Sequence, residues 1–166
     1  KDYLRRFIEE LPATFNPTAF DPRAWAVLAK LAGVRYVVFT TKHHSGFCMF
    51  HTSTTPFSIS QTPFSGDITG EVIDAFRQQG IAIGLYFSPD DFHFLHGKGL
   101  PVHRGVLPED CTGLLAHNQA QMRELLTNYG KIDILFFDGP SDGLRETCWE
   151  IDPEVVITRG AMPTPE

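Results

Sequence analysis

The chain has 166 residues, 42% of them hydrophobic and 20% charged, with a formal net charge of −6. This is ordinary globular composition for about one domain. It argues against nucleic acid or an anionic membrane as partner, because no basic patch or Arg-rich run is present. No apolar stretch nears the ~18 residues a bilayer span needs. No signal peptide is visible.

Read in chain order, the sequence repeats one unit: helix, short loop, apolar strand, polar loop. Residues 1–11 read as a first helix. "FDPRAWAVLAKLAG" (20–33) is the next, with Asp21 placed to cap it, Pro22 suited to the first turn and Gly33 to the exit. "VRYVVFT" (34–40) follows as a strand rich in β-branched and aromatic residues. "GDITGEVIDAFRQQG" (66–80) is a helix and "IAIGLYF" (81–87) a strand. A long loop, 88–112, leads to the helix "TGLLAHNQAQMRELLTNYG" (112–130) and the strand "IDILFFD" (132–138). "GLRETCWEID" (143–152) and "EVVITR" (154–159) complete the pattern.

Continuous apolar strands alternating with helices imply an α/β fold with a parallel sheet. A GxGxxG phosphate loop is absent, which weighs against a nucleotide-binding doubly wound sheet. A (β/α)8 barrel takes eight strands; only four are found. The expected architecture is half of a (β/α)8-like barrel, with residues 1–166 as a single catalytic unit. An incomplete parallel sheet leaves open edges, so self-association as a homo-oligomer is expected.

In such folds chemistry gathers at the C-terminal strand ends. Here the tips read "TTKHHSGF", "YFSPDD", "FFDGP" and "ITRGAMPTPE", each carrying hydrogen-bonding or ionisable groups, whereas the strand starts, Val34, Ile81, Ile132 and Glu154, are mostly bland. That asymmetry points to an enzyme or a binder of polar ligands. Asp138, after two phenylalanines, is the best single candidate for a nucleophile or acid/base group. Helix capping or pairing with a lysine are its structural alternatives, although Ser141 and Asp142 lie closer to the next helix start. His43 and His44 stand on a stretch read as extended, where neighbours point in opposite directions. Hydrogen bonding to substrate is therefore favoured over a shared metal, and a structural pair stays open. Tyr86 fits the site and the core equally. His93, His96 and His103 read individually as idle surface groups. Cys48, Cys111 and Cys148 are widely spaced without a CxxC, so buried thiols are expected rather than zinc ligands or disulfides.

At these residues the chain resembles the α-L-fucosidases of glycoside hydrolase family 29. The matching stretches are "FNPTAFDPRAWAVLAKLAGVRYVVFTTKHHSGFCMFHTSTT", "DITGEVIDAFRQQGIAIGLYFSPDDF", "ELLTNYGKIDILFFDG" and "ITRGAMPTPE", collinear over nearly the whole chain. The resemblance implies a barrel that hydrolyses α-L-fucosides with retention and without a metal or other cofactor. Its substrates would be fucosylated glycans or aryl fucosides. It implies Asp138 as nucleophile and Glu166 as general acid/base. His43 and His44 would bind the fucose hydroxyls, with Tyr86 beside the nucleophile and Arg159 lining the pocket. Phe47, Phe87 or Phe137 would wall the sugar's methyl group. Ser45 stands where the family has Asp in "KHHDGF". The family's first strand, its Glu-Trp segment, its later strands and its C-terminal β-domain have no counterpart in this sequence. The other outcome to weigh is a fucose-binding half-barrel without turnover.

Overall fold

A computed structural model describes residues 3–107 and 109–159, with the side chain of Arg159 excepted. The elements are α1 (Tyr3–Thr14), α2 (Pro22–Leu31), β1 (Tyr36–Lys42), a 3-10 turn (Ile59–Gln61), α3 (Ile68–Gln78) and β2 (Ala82–Phe87). They continue with α4 (Phe92–Gly97), α5 (Leu114–Asn128), β3 (Ile134–Phe137), α6 (Leu144–Ile151) and β4 (Val156–Arg159). The helix starts follow local chemistry. Asp21 accepts the Ala24 amide at 3.0 Å and Asp67 accepts that of Gly70 at 3.0 Å, satisfying first-turn donors that have no intrahelical partner.

The four strands are parallel and ordered β1-β2-β3-β4, the order of the sequence itself. Alternation splits the sheet into two unlike faces. Ile83, Leu85, Phe87, Leu135, Phe137 and Ile157 point to the helices and are buried with Val72, Ile73, Met122 and Leu125. The other face carries Val38, Gly84, Ile134 and Val156 in one row and Thr40, Tyr86, Phe136 and Thr158 in the next. It is poorly covered: Tyr36 is 59% and Val156 61% exposed. A doubly wound sheet is covered by helices on both faces. Helices on one face, with sequential strand order, make this part of a barrel wall. The bare face is the one that lines a barrel interior.

The sequence reading needs three local corrections. The first helix runs to Thr14, past the expected residue 11, and contains Pro12. The long loop 88–112 holds the short helix α4, which Asp91 caps through the Phe94 amide at 2.8 Å. Neither Ser141 nor Asp142 caps α6: Gly143 occupies that position without a side-chain bond, and Asp142 pairs with Arg145 at 2.8 Å. The three cysteines are free and buried, as expected. No helix among the described residues is long and apolar enough to cross a membrane.

Candidate active site

Three strand ends converge on Asp138. β3 ends at Phe137, whose side chain is fully buried, so Asp138 takes the opposite, open face. Its amide donates to the Phe87 carbonyl at 3.1 Å, which fixes it against the end of β2. From that strand Tyr86 donates its hydroxyl to Asp138 Oδ2 at 2.6 Å. From the β1 turn His44 Nε2 lies 3.3 Å from the same oxygen. The second oxygen, Oδ1, accepts from Arg104 Nη2 at 3.0 Å. Among the described residues, Asp138 therefore neither caps a helix nor pairs with a lysine.

The electrostatics follow from these contacts. The Tyr86 hydroxyl holds the Asp138 carboxyl below the usual carboxylate range. Partial burial opposes it, and His44, Arg104 and His43 add to the lowering. Tyr86 itself is pushed up by burial and by its bond to Asp138. His44 is lowered by burial, then by His43 and Arg104, with Asp138 and Asp90 opposing. At neutral pH this gives an ionised aspartate beside a neutral imidazole. Ser88 Oγ sits 2.6 Å from His44 Nδ1 and 3.1 Å from the Asp90 carbonyl, with one proton to serve both.

His43 and His44 do not diverge. The chain turns after Lys42, with the Gly46 amide on the His43 carbonyl at 2.9 Å, and the two rings come within 4.3 Å of each other. His43 is exposed and stacks on Tyr86 at 5.6 Å. Ligating atoms of His43, His44 and Asp138 lie within 4.8 Å of one another, a spacing that a cation could bridge. The seat is a poor one. Both carboxylate oxygens are engaged by Tyr86 and Arg104, and a guanidinium already supplies the positive charge.

Beneath the rim lies a buried polar layer that the sequence did not reveal. Lys42 is fully buried; its Nζ donates to Asp91 at 3.2 Å and to Asn118 at 2.8 Å and lies 4.3 Å over the Phe87 ring. Burial alone pushes the Asp91 carboxyl up, but Lys42, His117 and the Phe94 amide outweigh it and hold it low. Gly46 packs on this carboxylate so closely that a β-carbon there would sit 2.1 Å from Asp91 Oδ1. Lys42 and Asp91 thus fix the turn that carries both histidines.

Other expected residues fall elsewhere. Phe87 and Phe137 face the helices and cannot touch a sugar, whereas Phe47 lines an apolar cavity of about 410 Å³ beside His43, Phe39 and Phe57. Arg159 ends β4 opposite Phe137, one position short of the level of Asp138. Glu166 lies outside the described residues. His93 stacks on Phe57 at 4.8 Å and His96 is exposed in α4. Arg104 was missed because nothing in its loop's spacing distinguishes it from an idle surface arginine.

Comparison with known proteins gives the family. The α-L-fucosidase family model matches residues 3–164. The chain belongs to the α-L-fucosidase family. Arabidopsis thaliana α-L-fucosidase 1 is 33% identical over 170 aligned residues, covering 92% of this chain and 31% of that protein. The Paenibacillus thiaminolyticus α-L-fucosidase isoenzyme 1 structure aligns with a TM-score of 0.78 at 35% identity, covering 90% of this chain and 40% of that one. A Bacteroides thetaiotaomicron family 29 α-L-fucosidase, trapped as a covalent intermediate with 2-fluoro-fucosyl fluoride, aligns with a TM-score of 0.76 at 29% identity over 94% of this chain and 37% of that one. The chain thus spans under half the length of these fucosidases, and its four strands match part of their barrel.

Proposed function

We propose that the chain is the catalytic half-barrel of a retaining α-L-fucosidase, with Asp138 as nucleophile. The observation that carries this reading is the carboxylate of Asp138. It stands at a strand tip on the barrel-interior face and is kept ionised by Tyr86, His44 and Arg104. Asp138 attacks the anomeric carbon while the bond to the aglycone oxygen breaks and Glu166 protonates that oxygen. Glu166 then takes a proton from water, whose oxygen displaces Asp138. We assign the exposed ring of His43 and the Nε2 edge of His44 to binding sugar hydroxyls. Terminal fucosides of glycans, or aryl fucosides, are the substrates this assigns.

Assembly with further copies into a homo-oligomer is part of this proposal, and the apolar exposure of the sheet face at Tyr36 and Val156 motivates it. Sedimentation tests that part; a monomer with full activity contradicts it. Hydrolysis of an aryl α-L-fucoside, with NMR of the first sugar released, tests the chemistry. The α-anomer is expected first. First release of the β-anomer overturns retention. Fucose binding without turnover would favour the non-catalytic half-barrel instead.

A further inference from the structure

Resting on the reading of Asp138 as nucleophile, we propose that Asp90 and Arg104 form a positioning pair for it. Asp90 clamps the loop 101–107, and the clamped loop seats the Arg104 guanidinium on Asp138 Oδ1.

Asp90 is 1% exposed, and its carboxylate is committed to two backbone amides of that loop: Gly105 N–H to Oδ2 at 2.9 Å and Val106 N–H to Oδ1 at 3.0 Å. Those amides directly follow Arg104. An exposed arginine held only by its own side chain contributes little, because ordering it costs entropy. Arg104 is 60% exposed, yet its backbone is tied on the C-terminal side to a buried acid. The same strand tip serves the other oxygen of Asp138. Ser88, two residues before Asp90, holds His44 Nδ1, and His44 Nε2 faces Oδ2. Ser88 and Asp90, two residues apart, thus reach the nucleophile from both sides through His44 and Arg104.

The pair acts on a charge that changes during turnover. Asp138 is an anion at rest and a neutral ester in the fucosyl-enzyme. A cation fixed on Oδ1 favours the anion. It therefore assists release of the carboxylate from the ester in the second step and opposes its attack in the first. Arg104→Met should lower kcat and KM together, because the covalent intermediate accumulates.

The decisive test does not need turnover. The Asp138 side-chain carboxyl is followed by carbon-13 NMR against pH, with Asp138→Asn for assignment. Among the described residues, the ionisable or charged groups facing Asp138 are Tyr86 from β2, His43 and His44 from the β1 turn, and Arg104 from the loop, with Asp90 behind. Arg104→Met should raise the Asp138 midpoint and Arg104→Lys should restore part of it. Asp90→Asn should raise the midpoint when Arg104 is present. In the Arg104→Met background the same change should leave it unmoved or lower it, since only the removal of a negative charge remains. Equal shifts in both backgrounds, or no shift in Arg104→Met, overturn the pairing. Should Asp90→Asn not fold, hydrogen exchange in the unaltered chain tests the clamp: the Gly105 and Val106 amides are expected to be protected, and free exchange at both overturns it. Absence of fucosidase activity together with these shifts would refute the proposed function and leave the pair standing.

Discussion

Replacing Lys42 by Met should destabilise the chain by about 3–5 kcal/mol, the usual loss when one member of a buried ion pair is removed. Lys42 is fully buried and Asp91 nearly so, so solvent cannot take over the role of the missing ammonium. Met fills the same volume, which isolates the charge. Asp91 keeps the Phe94 amide at 2.8 Å and His117 at 3.4 Å, which places the loss toward the lower end. For a urea slope of about 2 kcal/mol/M, the midpoint should fall by on the order of 1.5–2 M. The companion is Lys42→Met with Asp91→Asn, which removes the stranded charge and keeps an oxygen for the α4 cap. It should be more stable than Lys42→Met alone. A single-variant loss below roughly 0.5 kcal/mol, the scale of an ordinary surface change, would refute the view that this pair anchors the histidine turn. So would a double variant no more stable than the single.

Gly46→Ala should fail at the same place from the other side. Its φ of +86° disfavours any side chain, and the added carbon would collide with Asp91. Loss of soluble folded protein, or a lowered urea midpoint, is expected, and an unchanged midpoint would contradict the packing. Acid should unfold the chain through Asp91. Its folded pKa lies below its unfolded one, so its stabilisation is complete above pH ~4 and is lost as pH falls toward the folded value. The Lys42→Met/Asp91→Asn variant should show a shallower acid slope in fluorescence-monitored unfolding. Asp138→Gly should abolish aryl-fucoside hydrolysis and regain part of it with azide as the external nucleophile. Full activity without azide would remove Asp138 from its assigned role.

The position of Asp138 at a strand tip was legible in the sequence, whereas Tyr86 stayed open between site and core until the strand register was known. Once Phe137 belongs to the core, its neighbour must face the other way, and Tyr86 shares that face by register. The half-barrel was legible for a similar reason, since helix-strand alternation leaves few topologies. The histidine pair was misread because an extended chain was assumed through residue 44. The turn at Gly46 depends on Asp91, 45 residues later, and no local pattern encodes it. Phe87 and Phe137 were offered to the sugar although the same alternation that exposes Tyr86 and Asp138 buries both. Arg104 was invisible for a third reason: its position is dictated by Asp90, and the fold of the loop between them is not periodic.

The central claim is that Asp138 attacks the sugar. Incubation with 2-fluoro-fucosyl fluoride, then digestion and mass spectrometry, tests it most directly. One fluorofucosyl adduct is expected, on the peptide carrying Asp138 and absent from Asp138→Gly. An adduct on any other residue, or hydrolysis of the reagent without Asp138, would contradict it.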